Sequence, residues 1–308
     1  MSAATLIPGF RASMIEGQGA TLRVAQGGSG PPVVLLHGYP QTHAMWHLMA
    51  PELAPHRTVV APDLRGYGES TRPPAGPGDA GYSKRATGAD VLAVMSALGH
   101  ERFAVVGHDR GGRVGHRLAL DHPDRVTRLC VIDIVPTLSV FRQAGQAVAT
   151  GNFHWFFLIQ PDGLPERMIG ADPDYWLNEL LSRWTGERGL DSFAPGPLEE
   201  YRRCFRDPAV IAATCADYRA AATIDLRHDE ADLDRRVACP LLALWGADAR
   251  IGARFDVLGE WRTRAADVRG RPVPGGHFLV EESPGEMLAE VAAFLAQETA
   301  GPGVDSAP

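Results

Sequence analysis

Apolar positions along this chain follow two alternating rhythms. Short β-branched or leucine-rich runs at residues 20–26, 32–36, 58–61, 103–106, 126–134, 240–246 and 268–273 predict strands. The runs at 32–36, 103–106 and 126–134 are apolar nearly throughout, as expected of parallel strands buried on both faces. The run at 20–26 reads as an edge strand. Apolar residues three and four apart predict helices over 43–54, 84–98, 114–120, 255–264 and 284–296. From Pro136 the rhythm changes: strand-like alternation disappears until Pro240, and Trp, Phe and Tyr recur at helical spacing. Residues 137–231 therefore read as a helical cap inserted between two parts of one α/β domain, 1–136 and 232–308. The last part ends in a polar tail, expected to be flexible from about residue 300. Strands alternating with helices imply a mostly parallel sheet flanked by helices on both faces. Ligands then bind beyond the carboxyl ends of the strands, where His37, Asp109, Asp133 and His277 all fall.

Composition narrows the possible partners. The hydrophobic content of 45% and charged content of 22% are those of an ordinary globular chain. A net charge of -7 argues against nucleic acid or an anionic membrane as partner, and any anion site must be built locally. The four cysteines (Cys130, Cys204, Cys215, Cys239) have neither paired nor metal-like spacing, so reduced thiols are expected. The first residues lack a basic segment followed by a long apolar run, and no run reaches membrane-spanning length. The expected location is cytoplasmic.

Candidate chemistry is concentrated in FAVVGHDRGGRVGHR, residues 103–117. A buried strand breaks at Gly107, and helix resumes after Gly111 and Gly112. This is the strand–turn–helix pattern of a nucleophile elbow, where α/β-hydrolases usually carry serine. Here the central residue is Asp109. A carboxylate cannot act as that serine does, but it can displace a leaving group at a saturated carbon. The resulting ester is then hydrolysed by activated water. His277, in GGHFLVEE, is the candidate base. Asp133, ending an apolar run where an unpaired carboxylate is costly, is the candidate orienting acid. Asp248, after the strand at 240–246, is the alternative. The oxyanion would form on Asp109, within reach of the backbone N–H groups of Tyr39 and Arg110. Two chemistries suit an aspartate elbow: carbon–halogen cleavage and epoxide opening. A binding protein of the same fold without turnover would tolerate loss of His277 or Asp133, yet both are present.

The segments HGYPQTHAMW, DLRGYGES, GHDRGGRVGHRLALDHP, VIDIVPT, the pair His154-Trp155 and GGHFLVEE resemble the haloacetate dehalogenases, especially the fluoroacetate dehalogenases. The similarity runs from about residue 8 to 297. Epoxide hydrolases share the HG-x-P loop and the aspartate elbow but usually carry tryptophan after the nucleophile; here that residue is Arg110, with Arg113 beyond it. Two guanidinium groups on one side of the site suit a small carboxylate substrate. Their plainer readings are pairing of Arg110 with Asp109, and Arg113 or Arg117 lying along the helix surface. The resemblance implies an α/β-hydrolase fold and hydrolysis of haloacetate to glycolate and halide. It also implies carboxylate binding by Arg110 and Arg113, halide binding by His154, Trp155 and Tyr218, and a homodimer. No metal or other cofactor is implied; water is the only co-substrate. Trp184 is a candidate for lining the entrance. For an epoxide hydrolase, Tyr218, Tyr175 and Tyr201 are the candidate phenolic donors. Asp63, Arg65, His43 and His108 are expected to have structural roles.

Overall fold

A computed structural model describes residues 5–297. Eight strands form one sheet in the order β1-β2-β4-β3-β5-β6-β7-β8. They are β1 (Arg11–Glu16), β2 (Thr21–Gly27), β3 (Pro32–Leu36), β4 (Thr58–Pro62), β5 (Phe103–His108), β6 (Val126–Ile132), β7 (Leu241–Gly246) and β8 (Val268–Val273). From β4 across to β8 every pairing is parallel; β1 and β2 pair antiparallel, as do β2 and β4. Central β5 is buried at all six positions, with Val105 packed beside Val34 and Leu129 in register. Each such side chain contributes about 1.5–3 kcal/mol of hydrophobic stabilisation.

Three expectations are corrected. The strand at 20–26 is not an edge, because Arg11–Glu16 pairs outside it. That strand is mostly exposed and reads RASMIE, so its apolar residues are too few to mark it. The predicted helix 43–54 is a 3-10 turn, His43–Trp46, and a separate short helix, Ala50–Leu53. The predicted helix 255–264 shortens to Val257–Arg262, and a separate short helix, Arg250–Arg254, precedes it. In both places the apolar residues are buried by contact with the sheet rather than by one continuous helical face.

Between β6 and β7 the chain is helical, from Thr137–Arg142 through Ile224–Ala231. These helices lie over the carboxyl ends of β5, β6 and β7, and the cleft between the two layers holds the candidate site. The four cysteines are free thiols. Among the described residues no helix is long and apolar enough to cross a membrane. The tail expected to be flexible lies outside the described residues.

Candidate active site

The sharp turn after β5 is enforced by backbone approach. A methyl group on Gly107 would come within 2.5 Å of the Gly111 carbonyl oxygen, and one on Gly111 within 2.3 Å of that of Leu36. Asp109, between them, is held at φ 43°, a conformation that costs a non-glycine residue about 1–3 kcal/mol. The helix Arg110–Asp121 starts immediately after it. The turn thus lifts the Asp109 carboxylate off the sheet and into the cleft, although it stays 95% buried, with 5% exposure.

Asp109 Oδ2 accepts the backbone N–H of Tyr39 at 3.2 Å. Its Oδ1 lies 4.0 Å from Arg113 Nε. Burial pushes this carboxyl up, but His277, Arg113 and Arg110 together outweigh burial and hold it below the usual carboxylate range. Asp109 is therefore an anion at neutral pH.

His277 follows β8, and its Nδ1 bonds Asp133 Oδ2 at 2.6 Å. Asp133 Oδ1 in turn accepts the Gly246 N–H at 3.0 Å, so both carboxylate oxygens are held. Asp248, the alternative acid, is exposed and lines the rim of the same cavity. Burial lowers the His277 pKa, yet the Asp133 bond and charge, with Asp109, raise it above the ordinary value. The backbone around His277 is fixed from three sides. Its N–H donates to the Trp184 carbonyl at 2.7 Å. Its carbonyl meets His108 Nε2 at 2.8 Å. Glu282 accepts the flanking N–H groups of Gly276 and Phe278, each at 2.8 Å.

Arg110 is wholly buried, but its partner is not Asp109. Its Nε donates to Asp217 Oδ2 at 2.6 Å and its Nη2 to the Asp217 carbonyl at 2.8 Å. Asp217 also receives Tyr67 Oη at 2.9 Å and Lys84 Nζ. This acid on the cap helix Pro208–Ala222 is the residue that sequence reasoning missed. The available signal was a charged residue beside Tyr218 in an alanine-rich helix. Arg113 does not lie along the surface either: its Nη1 bonds the Val135 carbonyl and Thr137 Oγ1, each at 3.0 Å. Burial pushes its pKa down to about 10, which leaves it charged at neutral pH. Arg117, expected at the surface, is buried in an ion-pair cluster with Asp121 and Asp232.

Two guanidinium groups face the cap aromatics. Arg110 Cζ lies 4.2 Å from the Tyr218 ring centre, and Arg113 Cζ 4.6 Å from that of Trp155. The ring centres of His154 and Tyr218 are 5.7 Å apart, and those of Trp155 and Tyr218 5.8 Å. Burial holds His154 well below the ordinary histidine range and Tyr218 well above the ordinary tyrosine range, so both are neutral N–H or O–H donors. Four buried polar atoms here have no hydrogen-bond partner among the described residues: Arg110 Nη1, Arg113 Nε, His154 Nδ1 and Tyr218 Oη. Buried donors left unbonded are rare and costly.

The cavity, of about 100 Å³, is lined by Asp109, Arg113, Asp133, His154, Trp155 and His277, with Trp184 beside them. Arg110, Tyr39 and Tyr218 are not part of this lining but pack against it, Arg110 and Tyr218 on Trp155 and Tyr39 on His154. Of the other phenols, Tyr175 is 65% exposed, and Tyr201 donates to Glu281 at 3.1 Å. Neither lines the cavity. His43 bonds Asp63 at 2.8 Å, and Arg65 donates to Asp90 at 2.6 Å. Among the described residues no group of acids, histidines or cysteines could hold a metal ion.

Comparison with known proteins places the chain among hydrolases. A fluoroacetate dehalogenase from Burkholderia sp is 45% identical over 296 residues, covering 96% of this chain and 97% of that protein. A soluble epoxide hydrolase from Corynebacterium sp. (strain C12) is 32% identical, covering 90% and 94%. A solved structure from Nostoc sp PCC 7120 superposes with a TM-score of 0.92 at 53% identity, covering 94% of this chain and 99% of its own. The family model for the alpha/beta hydrolase fold matches residues 31–284, so the chain belongs to the α/β-hydrolase fold family.

Proposed function

We propose that this hydrolase removes the halogen from short 2-haloacids, converting haloacetate and water to glycolate, halide and a proton. The observation that carries the proposal is the set of four buried donors without a hydrogen bond around an anionic Asp109. A haloacetate has acceptors for all of them: two carboxylate oxygens for Arg110 and Arg113, and a halogen for His154 and Tyr218. The indole of Trp155 completes the halide site. Binding the carboxylate between two guanidinium groups also offsets its repulsion from Asp109.

Because Tyr39 holds Oδ2, Oδ1 is the oxygen available for attack. A bond forms between Oδ1 and the α-carbon as the carbon–halogen bond breaks, and the halide leaves with the bonding pair toward the cap donors. The product of this step is an ester on Asp109. His277, oriented and made more basic by Asp133, takes a proton from water, and the hydroxide adds to the ester carbonyl carbon. Negative charge develops on Oδ2, where the Tyr39 N–H already points. Collapse expels the alkoxide of glycolate, which takes the proton from His277, and Asp109 ionises again by losing a proton to solvent.

Epoxide opening uses the same nucleophile and has support from the epoxide hydrolase relative. It wants phenols over the site, and of the three candidates only Tyr218 is near. Halide release from fluoroacetate and chloroacetate, followed by electrode with a small epoxide as control, tests the choice. Diol from the epoxide without halide from either acid would reverse it. His277→Asn should accumulate the ester, seen as added mass on the peptide containing Asp109, and Asp109→Asn should release no halide.

A further inference from the structure

The outer wall of the cavity carries charge that the reaction does not use. Arg250 and Arg254, on the short helix after β7, line it together with Arg183 of the cap helix Pro173–Trp184. Arg250 donates to the Gly151 carbonyl at 2.8 Å and to the Arg183 carbonyl at 3.4 Å. Arg254 donates to Asn152 Oδ1 at 3.3 Å. These acceptors are all neutral. Arg183 pairs with Glu179, but among the described residues no ion pair reaches Arg250 or Arg254. Burial and then the neighbouring charges of Arg254 and Arg183 press the Arg250 pKa downward, as expected of like charges crowded together. The arrangement is also accommodated by the cap: a methyl group on Gly151 would overlap the Arg254 guanidinium.

A clamp between cap and core would need only the hydrogen bonds to Gly151 and Asn152. It gives no reason to collect unneutralised cations against the cavity of a chain whose net charge is -7. We propose that Arg250 and Arg254 form an anion-receiving site at the cavity mouth, which takes the carboxylate of the incoming acid before Arg113 does. That ligand class rests on the proposed dehalogenase function; the site itself is one for small anions. Cations lining a cleft with low-dielectric walls raise the local concentration of an anionic substrate, and the effect fades as salt screens it.

The test compares wild type with Arg250→Gln/Arg254→Gln and Arg250→Lys/Arg254→Lys. Trp184 lines the same cavity, so the part of the iodide quenching of tryptophan fluorescence that is lost in a Trp184→Phe background reports anions there, with neutral acrylamide as control. That part should fall by roughly half in the Gln variant and persist in the Lys variant. Acrylamide quenching should be equal in all three. At low salt the KM for chloroacetate should rise about tenfold in the Gln variant, with the effect on KM rather than kcat. The gap should close at about 0.5 M salt. Unchanged iodide quenching, or a fall in kcat with KM constant, would overturn the proposal in favour of a clamp. A wild type inactive on every haloacid would sink the dehalogenase function instead, and the quenching result would still decide the anion site.

Discussion

Asp217→Asn is the substitution whose outcome most directly tests how the proposed carboxylate site is built. Asp217 lies between Arg110, at 2.6 Å, and Lys84, both buried with it. Those two cations hold its carboxyl well below the usual range. Removing its charge leaves them facing each other, and breaking a buried ion pair from one side costs about 3–5 kcal/mol. Two features push the cost to the lower end. Arg110 Nη2 keeps its bond to the Asp217 carbonyl, and Lys84, whose pKa burial already lowers, can shed its proton. About 3 kcal/mol corresponds to a fall in Tm of roughly 5 °C, at about 1.5 °C per kcal/mol for a chain of 308 residues. A less firmly held Arg110 should also raise KM for chloroacetate on the order of tenfold, equivalent to about 1.4 kcal/mol. Acetate, which has the carboxylate and no leaving group, separates the two effects: its inhibition constant should rise in step with KM. A lower Tm with unchanged acetate inhibition would show that Asp217 stabilises the fold without positioning Arg110, and would refute the reasoning.

Tyr218→Phe removes a buried hydroxyl that has no partner, so Tm should hold or rise slightly. Loss of a donor to a departing anion should slow defluorination by about 10- to 150-fold, matching 1.5–3 kcal/mol. Debromination of bromoacetate should suffer less, and equal losses would argue against a halide role. His277 must be neutral to act as base and its pKa is raised, so activity falls as pH drops through a limb centred above the ordinary 6.5. Single-turnover decay of the ester against pH measures this limb; in Asp133→Asn it should move down, because burial then acts unopposed by that charge, and an unmoved limb would contradict the assignment. Glu281, buried against Tyr201 and Gln41, is pushed up to about 8, chiefly by burial. A carboxyl raised in the folded state loses stability as pH climbs from its unfolded value near 4.5 to about 8, by up to about 5 kcal/mol. Urea melts at the two ends should show that slope in wild type and lose it in Glu281→Gln; identical slopes would contradict the assignment.

The elbow, Asp133 and His277 were legible because each sits at a local break in pattern: a strand ending in glycine, a carboxylate closing an apolar run, a histidine between glycines and a helix. The helical stretch between β6 and β7 was legible as a change of rhythm. Strand Arg11–Glu16 was not, since an exposed edge strand pairs through its backbone and leaves little hydrophobic trace. The 43–54 segment misled for a related reason: its apolar residues pack on the sheet from a bent path, and periodicity assumes a straight one. Asp217 and Lys84 are 133 residues apart, and nothing local to either announces their pairing.

Local patterning alone determined that this chain folds as an α/β sheet domain with a helical insertion and carries a carboxylate, Asp109, at the sharp turn after a buried strand. Those properties depend on residues adjacent or nearly adjacent in the chain. Tertiary structure decided where the cations stand: Arg110 is tethered to the cap, Arg113 faces Asp109, and Arg250 and Arg254 gather along the cavity wall. A charge takes its role from what surrounds it after burial, and the surroundings of these arginines come from chain segments brought together only when the cap closes over the sheet.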